Sequence, residues 1–457
     1  MAARARWARW ARRAAGVLPE PLSAPRRLPL WAVGALVAVL TLLQMVRRPT
    51  APPVWDSLFV EDGKIFLSQA INEHFLNTLA TSYFGYLHTA PRLITEVATW
   101  FPLGDAPLVM SLLTTLVASL LAVYVFEASG AWIASPPVRA VLALAVLFVP
   151  VTAKEISGTV ANLHWYLIYA AFWALVCPWR SRGWLAASTA VVALAVMSDP
   201  LVAVLLPIPV ALAVRDGGRR AWLLPGVILA GLAVQLALRD QGTTFFGNSH
   251  DAPIVRIFAE RVTSSLLVGD RYLKDVFGGR TDSPFAWASL AVVALAVAAG
   301  LWRLRGRRAW LLGGGTLLSV VYFLIPVESR GTRGLFPSHP WLLASTRYLY
   351  LPVLFLLTGL LAAVDRRARG QRRRLPALEV AVLAFVVATM VAGYRAPHRS
   401  SGQPRWRPML AQARRACAAR RPLPAITLYG KGSKLTAVVP IDPPVGWYVP
   451  VPCTHLD

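Results

Sequence analysis

The 457-residue sequence contains little charge and few cysteines, and each shortage excludes a class of protein. Charged residues make up 15% of the chain and apolar residues 56%, a balance that is rare in soluble proteins of this size. The three cysteines form no Cys-x-x-Cys pair and no zinc-ligand spacing, and no Walker loop is present. The sequence therefore predicts neither a structural metal site nor a nucleotide-hydrolysing motor.

Acidic residues and lysine are also scarce. The chain has 47 basic and 22 acidic residues, a net charge of +25, and only five of the basic residues are lysine. A soluble chain with this balance would suggest nucleic acid as a partner. Here the arginines stand in short clusters between apolar runs, at 180–182, 215–220, 303–308 and 365–374. Such clusters are typical of cytoplasmic loops of membrane proteins, so no nucleic-acid partner is predicted.

Long apolar runs, in contrast, are abundant. Segments such as LPLWAVGALVAVLTLLQMV (28–46) carry no charge and have the length that a helix needs to cross a hydrocarbon core of about 30 Å. The pattern predicts an all-α polytopic membrane protein with about eleven transmembrane helices. The predicted spans are 29–46, 105–126, 137–151, 160–178, 183–197, 200–214, 221–238, 284–302, 309–327, 347–364 and 375–394.

The arginine clusters also orient the chain. With residues 1–28 as a retained basic cytoplasmic tail, every cluster named above falls in the cytoplasm. Arg47 and Arg48 are the exception and fall outside. The transmembrane domain is then 29–394, with outer loops 47–104, 239–283 and 328–346, and the tail 395–457 is extracytoplasmic. Most of the acids lie at the outer side, so we expect any chemistry there and only topology signals at the inner side.

The first outer loop contains a cluster of carboxylates in the stretch WDSLFVEDGKIF. Asp56, Glu61 and Asp62 lie within seven residues, just before an amphipathic segment that predicts a juxtamembrane helix. One interpretation is that Asp62 caps this helix, because acids are favoured beside its unpaired N–H groups. The other is that the crowded carboxylates serve as a general base. The sequence leaves both open.

Further polar residues are predicted to lie near the outer surface. His88 and Arg92 follow an aromatic cluster in YFGYLHTAPRL, and His164 lies in NLHW at the outer start of a predicted span. Arginines at the outer side contradict the usual charge bias and suggest an anionic ligand. Arg333 and Arg347 are two such arginines, and Tyr348 follows Arg347. Each has a structural alternative: an interfacial aromatic belt, helix packing, or attraction to anionic lipid.

The tail 395–457 has the character of a small α+β unit. RPMLAQARRACAARR predicts a helix, and the β-prone segments AITLYG, LTAVVPI and GWYVPVPC follow it, separated by Gly, Lys and Pro. Cys417 and Cys453 both fall in this tail. Two cysteines in a small extracytoplasmic unit predict a disulfide.

Taken together, these features resemble the GT-C class of membrane glycosyltransferases, in which an acidic motif follows the first span. WDSLFVEDGKIF stands where that motif would stand, and STRYLYLP looks like the late Arg-Tyr element of some members. The chain also resembles actinobacterial multi-pass membrane proteins of unassigned activity that share an ED-G loop, an NLHW span and a GWxxxxPC end.

The resemblance implies inverting transfer of a sugar from a polyprenyl-phosphate donor to an envelope glycan, lipid or protein. It implies Asp62 as base, with Glu61 as the competing choice, and Arg347, with Arg333 second, as phosphate ligand. The remaining substrate-binding candidates are Asp56, His88, Arg92, His164 and Tyr348. No metal ligand is assigned, and a divalent cation such as Mg²⁺ or Mn²⁺ is compatible with this chemistry without being required.

Two other functions stay open at this point. A transporter or flippase for a lipid-linked or anionic solute would use broken helices, for which Pro207 and Pro209, or the run Gly313–Gly315, are candidates. A non-catalytic envelope scaffold would use the disulfide-containing tail alone. Membrane lipids are partners in all three interpretations.

Overall fold

The structure is a computed structural model. The residues that it describes are 19–22, 28–47, 52–178, 181–239, 253–269, 272–277, 283–335, 346–365, 376–394, 396, 403–430, 435–443 and 446–456. The side chains of Lys154, Lys274, Asp275 and residues 330–335 lie outside this description.

A helix is present at each of the eleven predicted spans. The helices of this bundle are α1 (Leu30–Met45), α5 (Ala106–Ser129), α6 (Pro136–Phe148), α8 (Leu163–Val176), α9 (Arg182–Ser198), α10 (Pro207–Asp216), α11 (Leu223–Ala237), α15 (Pro284–Arg303), α16 (Gly306–Leu335), α17 (Tyr350–Val364) and α18 (Ala377–Tyr394). Short helices lie between them: α2 (Ser68–Asn72), α3 (Phe75–Ala80), α4 (Thr89–Thr99), α7 (Thr152–Glu155), α12 (Ile254–Phe258), α13 (Ser264–Val268) and α14 (Leu273–Phe277).

Six of the described helical segments are long and apolar enough to cross a membrane, which supports a membrane location. They are Leu103–Ser129, Arg219–Ala237, Pro284–Arg303, Gly306–Ser329, Thr346–Val364 and Ala377–Tyr394. Four shorter apolar helices, α1, α6, α8 and α9, have 10–17 residues. The prediction of eleven spans, and of the side on which each terminus lies, stays a prediction.

Helix α8 forms the centre of the bundle. All of its 14 residues are buried, and it packs against α5 and α9. A helix that is apolar on every face is stable only when neighbours surround it. Its N-terminal end, preceded by Asn162, is where the polar residues of the NLHW motif lie.

The glycine run predicted as a helix break turns out to be a packing site. Helix α16 continues through Gly313–Gly315, and a Cβ on Gly315 would lie 2.5 Å from the carbonyl oxygen of Phe355 in α17. Gly359 approaches the backbone of α16 in the same way. Small residues allow two membrane helices to approach closely. A break is present instead at the 3₁₀ turn Pro200–Leu205, before α10.

The structure also accounts for the outer arginine that contradicts the charge bias. The Arg47 side chain is buried after the end of α1. Its Nε donates to the carbonyl of Tyr394 at 3.0 Å, and its Nη1 donates to the carbonyl of Leu147 and the hydroxyl of Thr152. Tyr394 and Leu147 lie in the last turns of α18 and α6, where unpaired carbonyls carry partial negative charge. Arg47 therefore joins three helix ends.

The predicted juxtamembrane helix of the first outer loop is divided. A π-helix, Asp62–Leu67, continues into α2, the chain is extended at Glu73, and α3 follows. Helix α2 ends where the Asn72 side chain donates to the carbonyls of Ser68 and Pro450. Such side-chain bonds to the backbone compete with continued helix.

The C-terminal unit, residues 403–456 as described, contains the predicted helix and strands. Helix α19 (Trp406–Ala419) covers an antiparallel sheet of β1 (Thr427–Tyr429), β2 (Thr436–Asp442) and β3 (Trp447–Pro452), in the order β1-β2-β3. Alternate residues of β2 and β3 are buried and form a small core: Ala437, Val439, Ile441, Val449 and Val451. Cys417 and Cys453 form the predicted disulfide.

Candidate functional site

A small cavity of about 40 Å³ lies beside the N-terminal end of α8. It is lined by Glu61, Tyr83, Phe84, Tyr86, His88, Ala161, Asn162, His164, Trp165, Arg347 and Tyr348. Three distant parts of the sequence thus meet here: the first outer loop, the start of α8 and the turn before α17. A larger cavity of about 210 Å³ lies around Cys177 at the other end of α8, away from these residues.

The centre of the site is an ion pair between Glu61 and Arg347. Oε1 of Glu61 accepts a hydrogen bond from Nη1 of Arg347 at 2.7 Å. Glu61 is buried, and its other oxygen, Oε2, has no hydrogen-bond partner among the described residues. The guanidinium also lies over the ring of Tyr348, 5.4 Å from its centroid. One carboxylate oxygen is therefore unused beside a cation.

A second carboxylate supports the same arginine. The backbone N–H of Arg347 points to Oε2 of Glu155 at 3.4 Å, and Glu155 is almost completely buried. The backbone carbonyl of Glu155 accepts a hydrogen bond from the Asn162 side chain. In the sequence, Glu155 follows Lys154 at the end of a predicted span, and this adjacency suggests only an ion pair. The contact with Arg347 had no local signal, because it joins residues far apart in the sequence.

Asp62 has a different environment from its neighbour. Its two carboxylate oxygens accept the backbone N–H groups of Val160 and Ala161 at 3.0 and 2.8 Å. These N–H groups lie just before α8, where helices bind anions well. The Asp62 carboxylate thus binds the start of α8 and does not cap the helix that begins at Asp62, as one interpretation of the sequence predicted. Glu61, which precedes that helix, makes no side-chain capping bond either. Asp62 joins the first loop to α8.

Asp56 and Arg92 do not reach the cavity. Asp56 accepts the backbone N–H of Arg407, near the start of α19, at 2.9 Å. The buried Arg92 side chain donates to Gln69 and to the carbonyl of Thr81. Burial lowers the pKa of Arg92 to about 10, and the charge of Glu73 opposes this shift. Arg92 is thus still charged at neutral pH, and its contacts organise the loop.

The two predicted histidines lie together at the cavity wall. The rings of His88 and His164 meet edge to face with centroids 4.9 Å apart. Nδ1 of His164 lies 2.8 Å from the carbonyl oxygen of Ala161, so this nitrogen donates. Nε2 lies 3.5 Å from Oδ2 of Asp199. The second nitrogen of His164 therefore faces a carboxylate across the cavity wall.

Asp199 also stabilises the 3₁₀ turn that follows it. Its Oδ1 accepts the backbone N–H of Leu201 at 2.8 Å, as predicted for a turn residue. The same carboxylate thus begins the 3₁₀ turn before α10 and faces His164. From sequence alone its second role had no signal, because the two residues lie 35 positions apart.

An aromatic turn closes the cavity. Tyr83 and Tyr86 pair through their backbones, and the turn between them has positive φ at Phe84 (50°) and Gly85 (86°). A bulky residue rarely adopts positive φ, and such strained residues cluster at ligand sites and switch regions. Tyr83 and Tyr86 both contact the ring of His88. This turn forms the wall of the cavity opposite α8.

Two predicted site residues remain, Tyr348 and Arg333. Tyr348 lines the cavity and packs edge to face on Trp165. The side chain of Arg333 lies outside the described residues. Among the described residues, no group of three or more His, Cys, Asp or Glu side chains could hold a metal ion.

Comparison with solved structures finds a distant likeness. The crystal structure of ArnT from Cupriavidus metallidurans bound to undecaprenyl phosphate is 16% identical, with a TM-score of 0.47 over 88% of this chain and 82% of that one. The crystal structure of the same protein in the apo state is 15% identical, with a TM-score of 0.45 and the same coverage of both chains. The cryo-EM structure of arabinofuranosyltransferase AftD from Mycobacteria is 17% identical, with a TM-score of 0.42 over 87% of this chain and 30% of that one.

No protein-family model matches the chain, and neither does any curated protein. The chemistry of the site is therefore inferred from its own residues.

Proposed function

We propose that the protein transfers a sugar from a polyprenyl-phosphate donor to a hydroxyl group of an envelope glycan, lipid or protein, with inversion at the sugar carbon. The reaction takes place at the extracytoplasmic surface of the membrane, in the cavity beside α8. The GT-C resemblance of WDSLFVEDGKIF supplies the donor class. The residues of the cavity supply the chemistry.

The observation that carries the proposal is a buried carboxylate with one unused oxygen next to a guanidinium. A sugar transferase needs a base for the acceptor hydroxyl and a cation for the leaving phosphate. Oε2 of Glu61 is unpaired among the described residues, and Arg347 lies 2.7 Å from Oε1. We therefore assign Glu61 as the base, which revises the sequence-based preference for Asp62.

In the proposed reaction, the donor phosphate binds Arg347 and the acceptor hydroxyl approaches Oε2 of Glu61. The hydroxyl oxygen attacks the sugar carbon from the face opposite the phosphate, and its proton passes to Glu61. The bond between the sugar carbon and the phosphate oxygen breaks, its electron pair stays on that oxygen, and the polyprenyl phosphate leaves with its negative charge stabilised by Arg347. His164, which faces Asp199, lies at the cavity wall beside the reacting groups.

The resting ion pair implies an order of binding. In the structure Arg347 is occupied by Glu61, so a donor phosphate has to compete with that carboxylate. Binding of the donor would release Glu61 from Arg347 and leave both carboxylate oxygens available to the acceptor hydroxyl. We therefore propose that the donor binds first and the acceptor second.

The cavity has to widen for this reaction. A volume of about 40 Å³ holds only a few water molecules, far less than a sugar. The strained turn at Phe84 and Gly85 is the wall that we propose moves. Its tyrosines would then offer aromatic faces to the sugar ring.

The experiment that tests the proposal compares a strain lacking the gene with strains that express wild type or Glu61→Gln at matched membrane abundance. Glutamine has the shape of glutamate and can still accept from Arg347, but it cannot take the proton. Asp105→Asn is the control, since this exposed carboxylate pairs only with Arg407 in the described structure. The readouts are envelope glycan linkages and the amount of lipid-linked sugar.

We expect the deletion to remove one sugar linkage and to accumulate its lipid-linked donor. Wild type and Asp105→Asn should restore the linkage, and Glu61→Gln should not. A strain whose linkage returns with Glu61→Gln would refute the role of Glu61. Loss of solute or lipid movement without any loss of linkage would favour the transporter instead.

A further inference from the structure

The C-terminal unit touches the segment that carries Glu61 and Asp62 with almost no space between them. A Cβ added to Gly63 would lie 2.6 Å from Cδ1 of Ile441 in β2 and 3.1 Å from Cγ2 of Val449 in β3. Both side chains are almost completely buried. A side chain at position 63 therefore has to displace the Ile441 and Val449 side chains, the helix turn or the sheet.

Strand β3 follows the same segment further along. The Lys64 ammonium lies 4.6 Å from the ring centroid of Trp447, and the Asn72 side chain donates to the carbonyl of Pro450 at 2.9 Å. A cation over an indole face and a hydrogen bond fix the strand at two points of the helical segment. The strand and the segment 62–72 thus contact each other over three turns of chain.

Helix α19 holds the unit to the bundle from the other side. Asp56 accepts the backbone N–H of Arg407, and the Trp406 indole donates to the carbonyl of Leu103 at 2.8 Å. The disulfide between Cys417 and Cys453 connects α19 with the end of β3. The short segment from 56 to 72 therefore lies between two supports, α8 through Asp62 and the C-terminal unit through Gly63.

We propose that the C-terminal unit is a positioning element of the active site. Ile441 and Val449, through their contact with the glycine at position 63, determine where the Glu61 carboxylate lies relative to Arg347. This inference rests on the proposed function, because the position of Glu61 matters for activity only if Glu61 reacts. Ile441 and Val449 are positioning residues and touch no substrate.

The physical reason is the sensitivity of group transfer to geometry. Glu61 and Gly63 are two residues apart in one helical turn, so a displacement at Gly63 moves the carboxylate. A misplacement of about 1 Å can lower the rate roughly 100-fold. Phosphate binding to Arg347 should not weaken, since Arg347 belongs to another segment of the chain and a displaced Glu61 competes less for its guanidinium.

The test is a size exchange across this contact in the full-length protein. Gly63→Val fills the contact, Ile441→Ala empties it, and the double variant combines them. Gly34→Val is the matched control, because a Cβ on Gly34 meets nothing within 4 Å. The milder pair Gly63→Ala and Ile441→Val serves if Gly63→Val fails to fold. The readouts are linkage restored per folded molecule, and undecaprenyl phosphate binding to the purified protein in nanodiscs.

We expect Gly63→Val to lower restored linkage at least tenfold, in keeping with the cost of misplacing a reacting group, while the Kd for undecaprenyl phosphate does not rise. Adding Ile441→Ala should recover most of the linkage, and Gly34→Val should behave as wild type. A purely structural contact would change melting temperature and leave activity per folded molecule intact.

Two results would overturn the inference while the proposed function stands. The first is full activity of Gly63→Val per folded molecule. The second is that adding Ile441→Ala to Gly63→Val does not recover the lost activity. In each case Glu61→Gln is inactive. An active Glu61→Gln would instead refute the proposed function and this inference with it. The same strains therefore separate the two failures.

Discussion

The two ends of the bundle use buried aspartates in the same way and differ in one neighbour. At the predicted inner end, Asp365 accepts the backbone N–H groups of Ala134 and Ser135, just before α6. At the predicted outer end, Asp62 accepts those of Val160 and Ala161, just before α8. Only the outer aspartate is preceded by a second buried carboxylate, Glu61, which faces a cation and a cavity.

This difference separates carboxylates that build the fold from the one suited to chemistry. An aspartate whose two oxygens both accept backbone hydrogen bonds stabilises a helix end and has little capacity to take a proton. A glutamate bound through one oxygen to a side chain can exchange that partner for a ligand. The inner end is also more than a set of topology signals, because the buried Glu379 accepts a hydrogen bond from Ser135 there.

The largest effect is expected at Arg347, which pairs with the buried carboxylate of Glu61. Arg347→Met removes the phosphate ligand and leaves Glu61 buried without its partner. Restored linkage should fall about 100-fold or more, and undecaprenyl phosphate binding should be lost with it. Arg347→Lys keeps the charge without the planar fork and should lie in between. Normal phosphate binding by Arg347→Met would contradict this assignment.

Asp62→Asn should lower stability much more than activity. The amide oxygen can accept one backbone N–H, but the amide nitrogen then faces the other donor, which costs about 1–3 kcal/mol. The measurement is the melting temperature of the purified protein together with restored linkage per folded molecule. An unchanged melting temperature with lost activity would assign the chemistry to Asp62.

Asp365→Asn should give a similar loss of stability, about 1–3 kcal/mol, because it loses the same type of contact at α6. Activity per folded molecule should match wild type, since α6 begins at the end of the bundle away from the cavity. The comparison of the two ends would fail if Asp365→Asn lost activity while folding normally.

The smallest effect is expected at the exposed pair of Asp105 and Arg407. Their side chains are 39% and 52% exposed, and exposed ion pairs contribute about 0–1 kcal/mol. Asp105→Asn should therefore change the melting temperature within error, measured beside Asp62→Asn. A loss as large as that of Asp62→Asn would show that charge alone, rather than burial, sets these contributions.

Much of this fold could be predicted because apolar length and periodicity decide it. The eleven helical segments, the C-terminal helix and strands, and the Cys417–Cys453 disulfide all correspond to predicted features. The division of the first loop helix at Glu73 had no local signal, because the contact of Asn72 with Pro450 joins residues far apart in sequence.

The candidate site could be predicted in part for the same reason. Glu61, His88, His164, Arg347 and Tyr348 were all candidates, and the structure brings them to one cavity. Which of two adjacent acids faces that cavity depends on the turn of a π-helix and on the path of residues 155–162. Asp56 and Arg92 share the polarity of site residues, yet their partners, the backbone of Arg407 and Gln69, are tertiary contacts.

The measurement that tests the central claim most directly compares Glu61→Gln with Asp62→Asn, as linkage restored per folded molecule in the strain lacking the gene. The account predicts that Glu61→Gln melts like wild type and restores no linkage, while Asp62→Asn melts at a lower temperature and restores it. The reverse result, an active Glu61→Gln beside a stable and inactive Asp62→Asn, would contradict the account.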